Sequence, residues 1–136
     1  MTLDFRLPPA GPLLGLGVDI VDIARIKGMR SRQGERFLKR VYTQTELDYC
    51  MKMKYPDQHL AARFAAKEAV SKAFTTGIGE HFDWKSIGVV VGDRRQPEIE
   101  LDAKAQRFME SLGGSRITIS LTHSENTAVA IAGLIG

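Results

Sequence analysis

One residue of this 136-residue chain that could do chemistry is Asp19, which ends the run LLGLGVD. Apolar residues alternate there with glycines, so that one side carries Leu14, Leu16 and Val18 and the other carries Gly15, Gly17 and Asp19. This alternation predicts a β-strand with one face stripped of side chains. A carboxylate beside such open space either caps a following helix, lies on the surface, or binds something that occupies the space.

A second carboxylate, Glu68, lies in the segment RFAAKEAVSKAF, which predicts an alanine-rich helix. Lys72 follows four residues later on the same helix face, a spacing that by itself is typical of an ordinary ion pair. Small apolar residues surround Glu68, however, and an enclosed carboxylate is costly unless it is paired or bound to a metal. Two carboxylates, Asp19 and Glu68, favour a hard cation such as Mg²⁺. One cysteine and three scattered histidines give no ligand spacing for zinc.

The third candidate is His123, at the end of the run ITISLTH. The apolar residues of that run occupy alternate positions, as in a β-strand, and His123 continues their face. Most histidines in such a place are structural and bridge the core and the solvent. The following turn, SEN, supplies hydroxyl and amide groups, so the same end of the strand also suits a phosphate or a ribose.

Helices must position Glu68, and their boundaries are marked in the sequence. The stretch TQTE at 43–46 has capping-box spacing and predicts a helix that runs to about Lys54. Pro56 ends that segment, and Asp57 then caps the longest helix. We expect this helix to stop at Gly77.

After position 84 the hydrophobic period changes from helical to strand-like. The runs SIGVVVGD and PEIELD predict a hairpin, residues 103–112 a short amphipathic helix, and RITISLTH and TAVAIAGLIG a second hairpin. Together with the first strand, this order predicts an α+β fold in which a mostly antiparallel sheet packs against the long helix.

Length and composition predict one domain, over residues 13–136, after a flexible leader over residues 1–12. The chain is 43% hydrophobic and 26% charged, as in ordinary globular proteins. The leader has neither the basic start nor the cleavage site of a secretion signal, and no stretch reaches the ~20 apolar residues of a membrane span. A lone cysteine, Cys50, cannot form an internal disulfide, which fits a reducing cytoplasm.

The net charge of +3 is unevenly distributed. One acidic residue, Glu35, stands among seven basic ones, namely Arg25, Lys27, Arg30, Arg32, Arg36, Lys39 and Arg40. Such a cluster is typical of a solvated helix face, but it also suits an acidic partner, either nucleic acid or an acidic protein. A nucleic-acid-binding module would need stacking aromatic residues among the charges, and only Phe37 and Tyr42 lie nearby.

Nucleotide motifs do not explain the first glycines, since GLGVDI has isoleucine where the dinucleotide fingerprint needs its third glycine. Three other motifs match those of a known protein family and occur in the same order along the chain. They are Gly17–Asp19 with Arg25, the stretch FAAKEAVSKA from Phe64 to Ala73, and SLTH from Ser120 to His123. On these residues the chain resembles the holo-[acyl-carrier-protein] synthase family, the small phosphopantetheinyl transferases.

The resemblance implies a 4′-phosphopantetheinyl transferase-like fold and a reaction with coenzyme A. The 4′-phosphopantetheine group would pass to a serine of apo-acyl carrier protein, with release of adenosine 3′,5′-bisphosphate. Asp19 and Glu68 would hold Mg²⁺ against the pyrophosphate. Lys72 would contact the phosphates and stabilise or protonate the leaving bisphosphate, and either Glu68 or a water on the metal would take the serine proton. Hydrolysis of nucleotides with Mg²⁺ is an alternative reaction for the same residues.

The resemblance also assigns binding residues. Candidates for coenzyme A, besides Lys72, are Arg63, Lys67, Ser71, Pro97 and His123. Candidates for docking the acidic carrier protein are Arg25, Met29, Arg32 and Arg36.

Finally, the resemblance implies a homotrimer with its sites between adjacent chains. The last strand, Thr127 to Ile135, is apolar on both faces, which agrees with burial of one face against a neighbouring copy. Coverage of both faces by elements of the same chain is the alternative.

Overall fold

The computed structural model describes residues 11–136, in which the predicted strands and helices follow one another in the expected order. Most of the leader predicted over residues 1–12 lies outside the described residues. The described elements are β1 (Leu13–Asp22), α1 (Ile23–Gln33), α2 (Glu35–Val41), α3 (Gln44–Cys50), α4 (Pro56–Ala73), a 3₁₀ turn (Trp84–Ser86), β2 (Ile87–Val91), β3 (Pro97–Leu101), α5 (Ala103–Ser111), β4 (Arg116–His123) and β5 (Thr127–Ile135). Within residues 11–136 no helix combines the length and the hydropathy needed to cross a bilayer.

The strands form two antiparallel sheets. The larger one has the order β1-β5-β4, and β2 pairs with β3 in the smaller one. In the larger sheet Asp19 lies opposite Ala130, and His123 lies opposite Ala128 on the other side of β5. The predicted α+β fold with antiparallel pairing is therefore confirmed.

Helix α4 covers one face of the larger sheet and forms the centre of the core. The residues of β5 that face it are fully buried and mostly small: Ala128, Ala130, Ala132 and Leu134. Twelve of the 18 residues of α4 are buried as well, because α1, α3 and β2 contact the sides of the helix that the sheet leaves open. Small side chains on both surfaces allow the close approach of helix and sheet.

The two glycines of β1 complete this contact. A methyl group at Gly17 would collide with the carbonyl oxygen of Ala69, and one at Gly15 would collide with that of Ala73. The open face predicted from the sequence is thus the surface on which the second half of α4 rests. Asp19 continues this face, as predicted, and points toward the same helix.

Substitution Gly17→Ala is expected to destabilise the chain by about 1–3 kcal/mol, because the added methyl group overpacks a backbone contact that cannot yield without moving α4. Gly77→Ala is the matched control, since a Cβ atom at Gly77 meets no atom within 4 Å. Urea unfolding at 25 °C measures both. Equal midpoints for the two variants would contradict the steric role of Gly17.

Three predicted boundaries are wrong. Helix α3 ends at Cys50 and not near Lys54, and Pro56 begins α4 at its first helical position instead of ending the previous segment. Proline suits that position because it has no amide hydrogen to leave unpaired. Asp57 makes no capping hydrogen bond, and Tyr55 takes the N-cap position.

The end of α4 differs as well. Thr75, with φ of 59°, takes a left-handed conformation, and the helix ends before Gly77, where its stop is predicted. The amide of Thr75 donates to the carbonyl of Lys72 at 2.9 Å, and that of Thr76 donates to the carbonyl of Ser71 at 3.0 Å. The last turn of the helix is therefore satisfied before the chain reaches Gly77.

Candidate active site

Strand β1 and helix α4 bring Asp19 and Lys72 into contact. Lys72 Nζ donates to Asp19 Oδ1 at 3.0 Å and to the carbonyl oxygen of Val18, also at 3.0 Å. The ammonium group is half exposed, so it is accessible to a ligand from the solvent. The contact exists because the glycines of β1 let this part of α4 approach the strand.

Glu68 lies one helical turn before Lys72 and is partly buried. Burial raises the pKa of Glu68 above its usual value, and the nearby charge of Asp19 raises it further. Lys72 and Arg25 act in the opposite direction. Two carboxylates therefore repel each other here, and the positive groups around them offset this repulsion only in part.

The carboxylates Asp19 and Glu68 suit a hard divalent cation. A bound cation would relieve their mutual repulsion, which adds to the effect of burial in raising the pKa of Glu68. No cluster of three or more histidine, cysteine, aspartate or glutamate residues with metal-binding geometry occurs within residues 11–136. Mg²⁺ fits this small donor set, because it is commonly bound by one or two carboxylates together with waters and phosphate oxygens of a substrate.

Two residues that the sequence assigned to coenzyme A point into the core instead. Lys67 is fully buried, and its ammonium donates to Glu46 Oε1 at 2.8 Å and to the carbonyls of Trp84 at 3.1 Å and Ile87 at 2.6 Å. All three hydrogens of the ammonium are thus engaged. The hydroxyl of Ser71 is also buried and donates to the carbonyl of Glu68 at 2.8 Å. We therefore correct the prediction and assign both residues to the core.

Glu46 is the partner that the sequence analysis missed. Its predicted capping box is confirmed: Glu46 Oε1 accepts from the amide of Thr43 at 2.8 Å. The same carboxylate pairs with Lys67, and its Oε2 accepts from the amide of Val89 at 2.9 Å. Glu46 thus joins α3, α4 and β2. Burial lowers the pKa of Lys67, and the charge and hydrogen bond of Glu46 oppose this shift.

A second polar cluster surrounds Arg63 in the first half of α4. Arg63 is only 6% exposed, its guanidinium lies 4.3 Å from the ring centroid of Tyr49, and its Nε has no hydrogen-bond partner within residues 11–136. The ring of His59 lies 5.5 Å from that of His123 and 5.9 Å from that of Tyr49. Burial, followed by the charges of Arg63 and His123, lowers the pKa of His59.

The Arg63 cluster and the Asp19 cluster are separate within one chain. Arg63 and Lys72 are nine residues apart on α4, which corresponds to a rise of about 13–14 Å along the helix. His123 lies two strands away from β1. Pro97 belongs to the smaller sheet, where it pairs with Val91. The remaining predicted coenzyme A residues are therefore divided, within one chain, between the Asp19 cluster, the Arg63 cluster and the hairpin.

The predicted docking residues form a surface beside the Asp19 cluster. Arg25, Met29 and Arg32 lie on α1 and Arg36 on α2; the arginines are exposed and Met29 is partly buried. The guanidinium of Arg25 lies 5.3 Å from the ring centroid of Phe64. Because Arg25 also affects the pKa of Glu68, the basic surface reaches to the edge of the carboxylate pair.

Comparison with known proteins gives a consistent result. Residues 15–132 match the sequence model of a family described as the 4′-phosphopantetheinyl transferase superfamily. The holo-[acyl-carrier-protein] synthase of Carboxydothermus hydrogenoformans is 46% identical over 115 residues, covering 85% of this chain and 92% of the relative. The synthase of the same name from Chlamydia trachomatis serovar D is 42% identical over 120 residues, covering 88% and 98%.

Solved structures agree with these sequence matches. The crystal structure of holo-[acyl-carrier-protein] synthase from Neisseria meningitidis superposes with a TM-score of 0.86 at 32% identity, covering 92% of this chain and 100% of that chain. The Helicobacter pylori synthase in complex with coenzyme A has a TM-score of 0.78 at 31% identity, covering 88% and 98%.

Proposed function

The chain belongs to the 4′-phosphopantetheinyl transferase superfamily, and on this basis we propose that it is a holo-[acyl-carrier-protein] synthase. It transfers the 4′-phosphopantetheine group of coenzyme A to a serine of apo-acyl carrier protein and releases adenosine 3′,5′-bisphosphate. This membership confirms the resemblance seen in the three sequence motifs. A relative of the same name is known in complex with coenzyme A, which supports coenzyme A as the substrate.

The observation that carries the proposal is the meeting of Asp19, Glu68 and Lys72 at the contact of β1 and α4. Two carboxylates and an accessible ammonium suit the pyrophosphate of coenzyme A, whose cleavage by phosphoryl transfer to the serine depends mainly on positioning and charge stabilisation. Asp19 and Glu68 would hold Mg²⁺, which when bound neutralises charge on the pyrophosphate. The partial burial of Glu68 keeps this charge stabilisation strong by limiting access of water.

Lys72 is placed to contact the leaving group of the reaction. Its ammonium is a positive charge beside the carboxylates, and the exposed side chain can turn from Asp19 to a phosphate oxygen. There it stabilises the departing bisphosphate or donates a proton to it. Glu68 lies within one turn of Lys72, where its carboxylate can accept the proton of the carrier serine.

One assay separates this proposal from its two alternatives. The chain is incubated with apo-acyl carrier protein, coenzyme A and Mg²⁺, and the carrier is weighed by mass spectrometry. Addition of the phosphopantetheine arm to the carrier serine is the expected result. Cleavage of coenzyme A or of nucleotides with an unmodified carrier would instead indicate a hydrolase. A nucleic-acid-binding module would show neither reaction.

Carrier docking at the basic surface is tested by charge reversal. Arg32→Glu combined with Arg36→Glu is expected to raise KM for the carrier about 10-fold or more and to leave KM for coenzyme A nearly unchanged, because exposed charges steer an acidic partner. These two substitutions leave Arg25 unchanged, because the charge of Arg25 lowers the pKa of Glu68. The defect should shrink as salt rises, since the screening length is ~8–10 Å at physiological ionic strength.

The control for this reversal is Arg107→Glu, an exposed arginine on α5. It changes the net charge in the same direction without altering α1 or α2. A loss of affinity for the carrier as large as that of the α1–α2 variant would mean that net charge alone matters. Equal damage to both substrates would mean that the basic helices build the site for coenzyme A.

We also propose assembly into a homotrimer with sites between adjacent chains. The sheet face opposite α4 is apolar and exposed: Leu16 is 60% exposed, Val18 56% and Ile20 68%, and Ile131 lies directly across from Val18. Monomers rarely leave such a continuous apolar surface in water. The other face of β5 is covered by α4, so the elements described within residues 11–136 cover one side only.

A cytoplasmic location is part of the same proposal. Cys50 is the only cysteine in the sequence, and it is a buried free thiol. Burial raises the pKa of Cys50 to about 12, so the thiol is neutral and has a packing role. A chain that relies on no disulfide suits a reducing compartment.

A further inference from the structure

Arg30 differs from the other members of the basic cluster. Its guanidinium forms a two-pronged ion pair with Asp57, in which Nε donates to Oδ1 at 2.8 Å and Nη2 donates to Oδ2 at 2.9 Å. The side chains are 31% and 14% exposed, so the pair is partly shielded from water. Asp57 raises the pKa of Arg30, mainly through the side-chain hydrogen bond. The positive charge of Arg30 is therefore compensated within the chain.

Beyond its first turn, helix α1 is anchored by Met29 and by the ion pair of Arg30. Only two residues of this helix are buried, Ile23 and Ile26, and both belong to its first turn. The next position on the same stripe is Arg30, four residues after Ile26. The helix then stops at Gly34, whose φ of 58° separates it from α2. The second half of α1 is thus held by the packing of the partly buried Met29 against the core and by the ion pair of Arg30 with Asp57.

Asp57 is well placed as the anchor. It lies in the first turn of α4, where a negative charge interacts favourably with the helix dipole. Helix α4 is the most deeply buried helix and carries Glu68 and Lys72 in its second half. A planar guanidinium that pairs through two parallel hydrogen bonds fixes direction as well as distance, which a single lysine contact does not.

We propose that Arg30 and Asp57 are positioning residues for recognition of the carrier protein. The pair holds the docking surface of α1, which includes Met29 and Arg32, at a fixed angle to the helix that bears the catalytic groups. Arg30 itself does not contact the carrier. The inference rests on the proposed function, because it assigns the orientation of α1 to the docking of that substrate.

The kinetic test uses Arg30→Gln, Arg30→Lys, Asp57→Asn and the double variant, with Lys27→Gln as the control for loss of an exposed charge from α1. Each variant of the pair is expected to raise KM for the carrier about 3- to 10-fold, and kcat and KM for coenzyme A stay within about twofold. The double variant should raise KM for the carrier no more than the more damaging of the two single variants does, because both changes break the same interaction. Lys27→Gln is expected to change KM for the carrier less than Arg30→Lys does.

Salt distinguishes positioning from direct contact. For Arg32→Gln the ratio of its KM to that of the unmodified chain should fall toward one as salt rises, because a steering charge is screened. For Arg30→Gln the ratio should persist, since the misplaced helix remains misplaced at any ionic strength. A ratio that falls in the same way for both variants would assign Arg30 to the contact surface and overturn the proposal.

Hydrogen exchange tests the pair without relying on the enzyme assay. In Arg30→Gln and Arg30→Lys, the amides in the second half of α1 should exchange at least about 10-fold faster, whereas those in the second half of α4 remain protected. Unchanged exchange in α1, or normal kinetics for Arg30→Lys, would refute positioning by the ion pair. Failure of the unmodified chain to modify the carrier would instead refute the proposed function, whatever the exchange results show.

Discussion

Asp19→Asn and Glu68→Gln are each expected to lower the rate of transfer by about 10³-fold or more. Both replacements keep the shape of the side chain but remove the negative charge that would hold Mg²⁺. A bound cation supplies several kcal/mol of charge stabilisation in reactions of this type, and each 1.4 kcal/mol corresponds to a factor of ten in rate. The measurement is kcat with apo-acyl carrier protein and coenzyme A, repeated across a titration of Mg²⁺.

Stability measurements show whether such a loss is specific to the chemistry. The pKa of Glu68 is raised in the folded chain, so its ionised form is less favourable there than in the unfolded chain, and this disadvantage is present above the folded pKa. Glu68→Gln should therefore be at least as stable as the unmodified chain at neutral pH. Glu110→Gln, at an exposed carboxylate on α5, is the matched control for activity. Near-normal turnover of either site variant at limiting Mg²⁺ would refute the metal assignment.

The sequence was most informative where a structural requirement leaves a pattern in neighbouring residues of the chain. The glycines of β1 are required because α4 lies directly on them, and this demand leaves a period-two pattern that can be read without the fold. The capping box of Thr43 and Glu46 is also local, and it is confirmed. The pairing of Glu46 with Lys67 joins residues 21 positions apart, and no short pattern encodes it.

The misassignment of Lys67 and Ser71 has a different cause. The two residues continue a helical stripe that begins with Leu60 and Phe64, and all four side chains are buried. Helical spacing alone therefore indicated the core, but the match to a family motif suggested a ligand for every polar residue in it. Adjacent residues of a helix point about 100° apart, so Glu68 can face a substrate while Lys67 faces the interior.

Asp57 illustrates a third kind of limit. An aspartate after a proline at the start of a helix is a good local candidate for a cap, but the conformation of the chain gives the N-cap position to Tyr55. The carboxylate instead binds Arg30, 27 residues earlier. The partners Asp19 and Lys72 are 53 residues apart, and only the packing of α4 on β1 brings them to 3.0 Å.

A mixture of two inactive variants is expected to regain activity if the sites lie between chains. Glu68→Gln removes a group of the Asp19 cluster, and His123→Ala removes an exposed group of the Arg63 cluster. In one chain these clusters are separated by about 13–14 Å along α4, so each chain would supply its Asp19 cluster to one site and its Arg63 cluster to another. In a closed ring of heterologous contacts, random mixing of the variants gives about one quarter of sites with both clusters intact.

The experiment compares two mixtures, each unfolded and refolded together in equal amounts. Glu68→Gln with His123→Ala should recover up to about one quarter of the activity of the unmodified chain. Glu68→Gln with Asp19→Asn should recover almost no activity. Both substitutions change the Asp19 cluster, so every site in every mixed assembly contains one of them. Light scattering is expected to give three times the mass of one chain for every sample. Equal recovery in the two mixtures, or a fully active monomer at low concentration, would refute the shared site and leave the exposed face of Leu16, Val18 and Ile20 without its proposed cover.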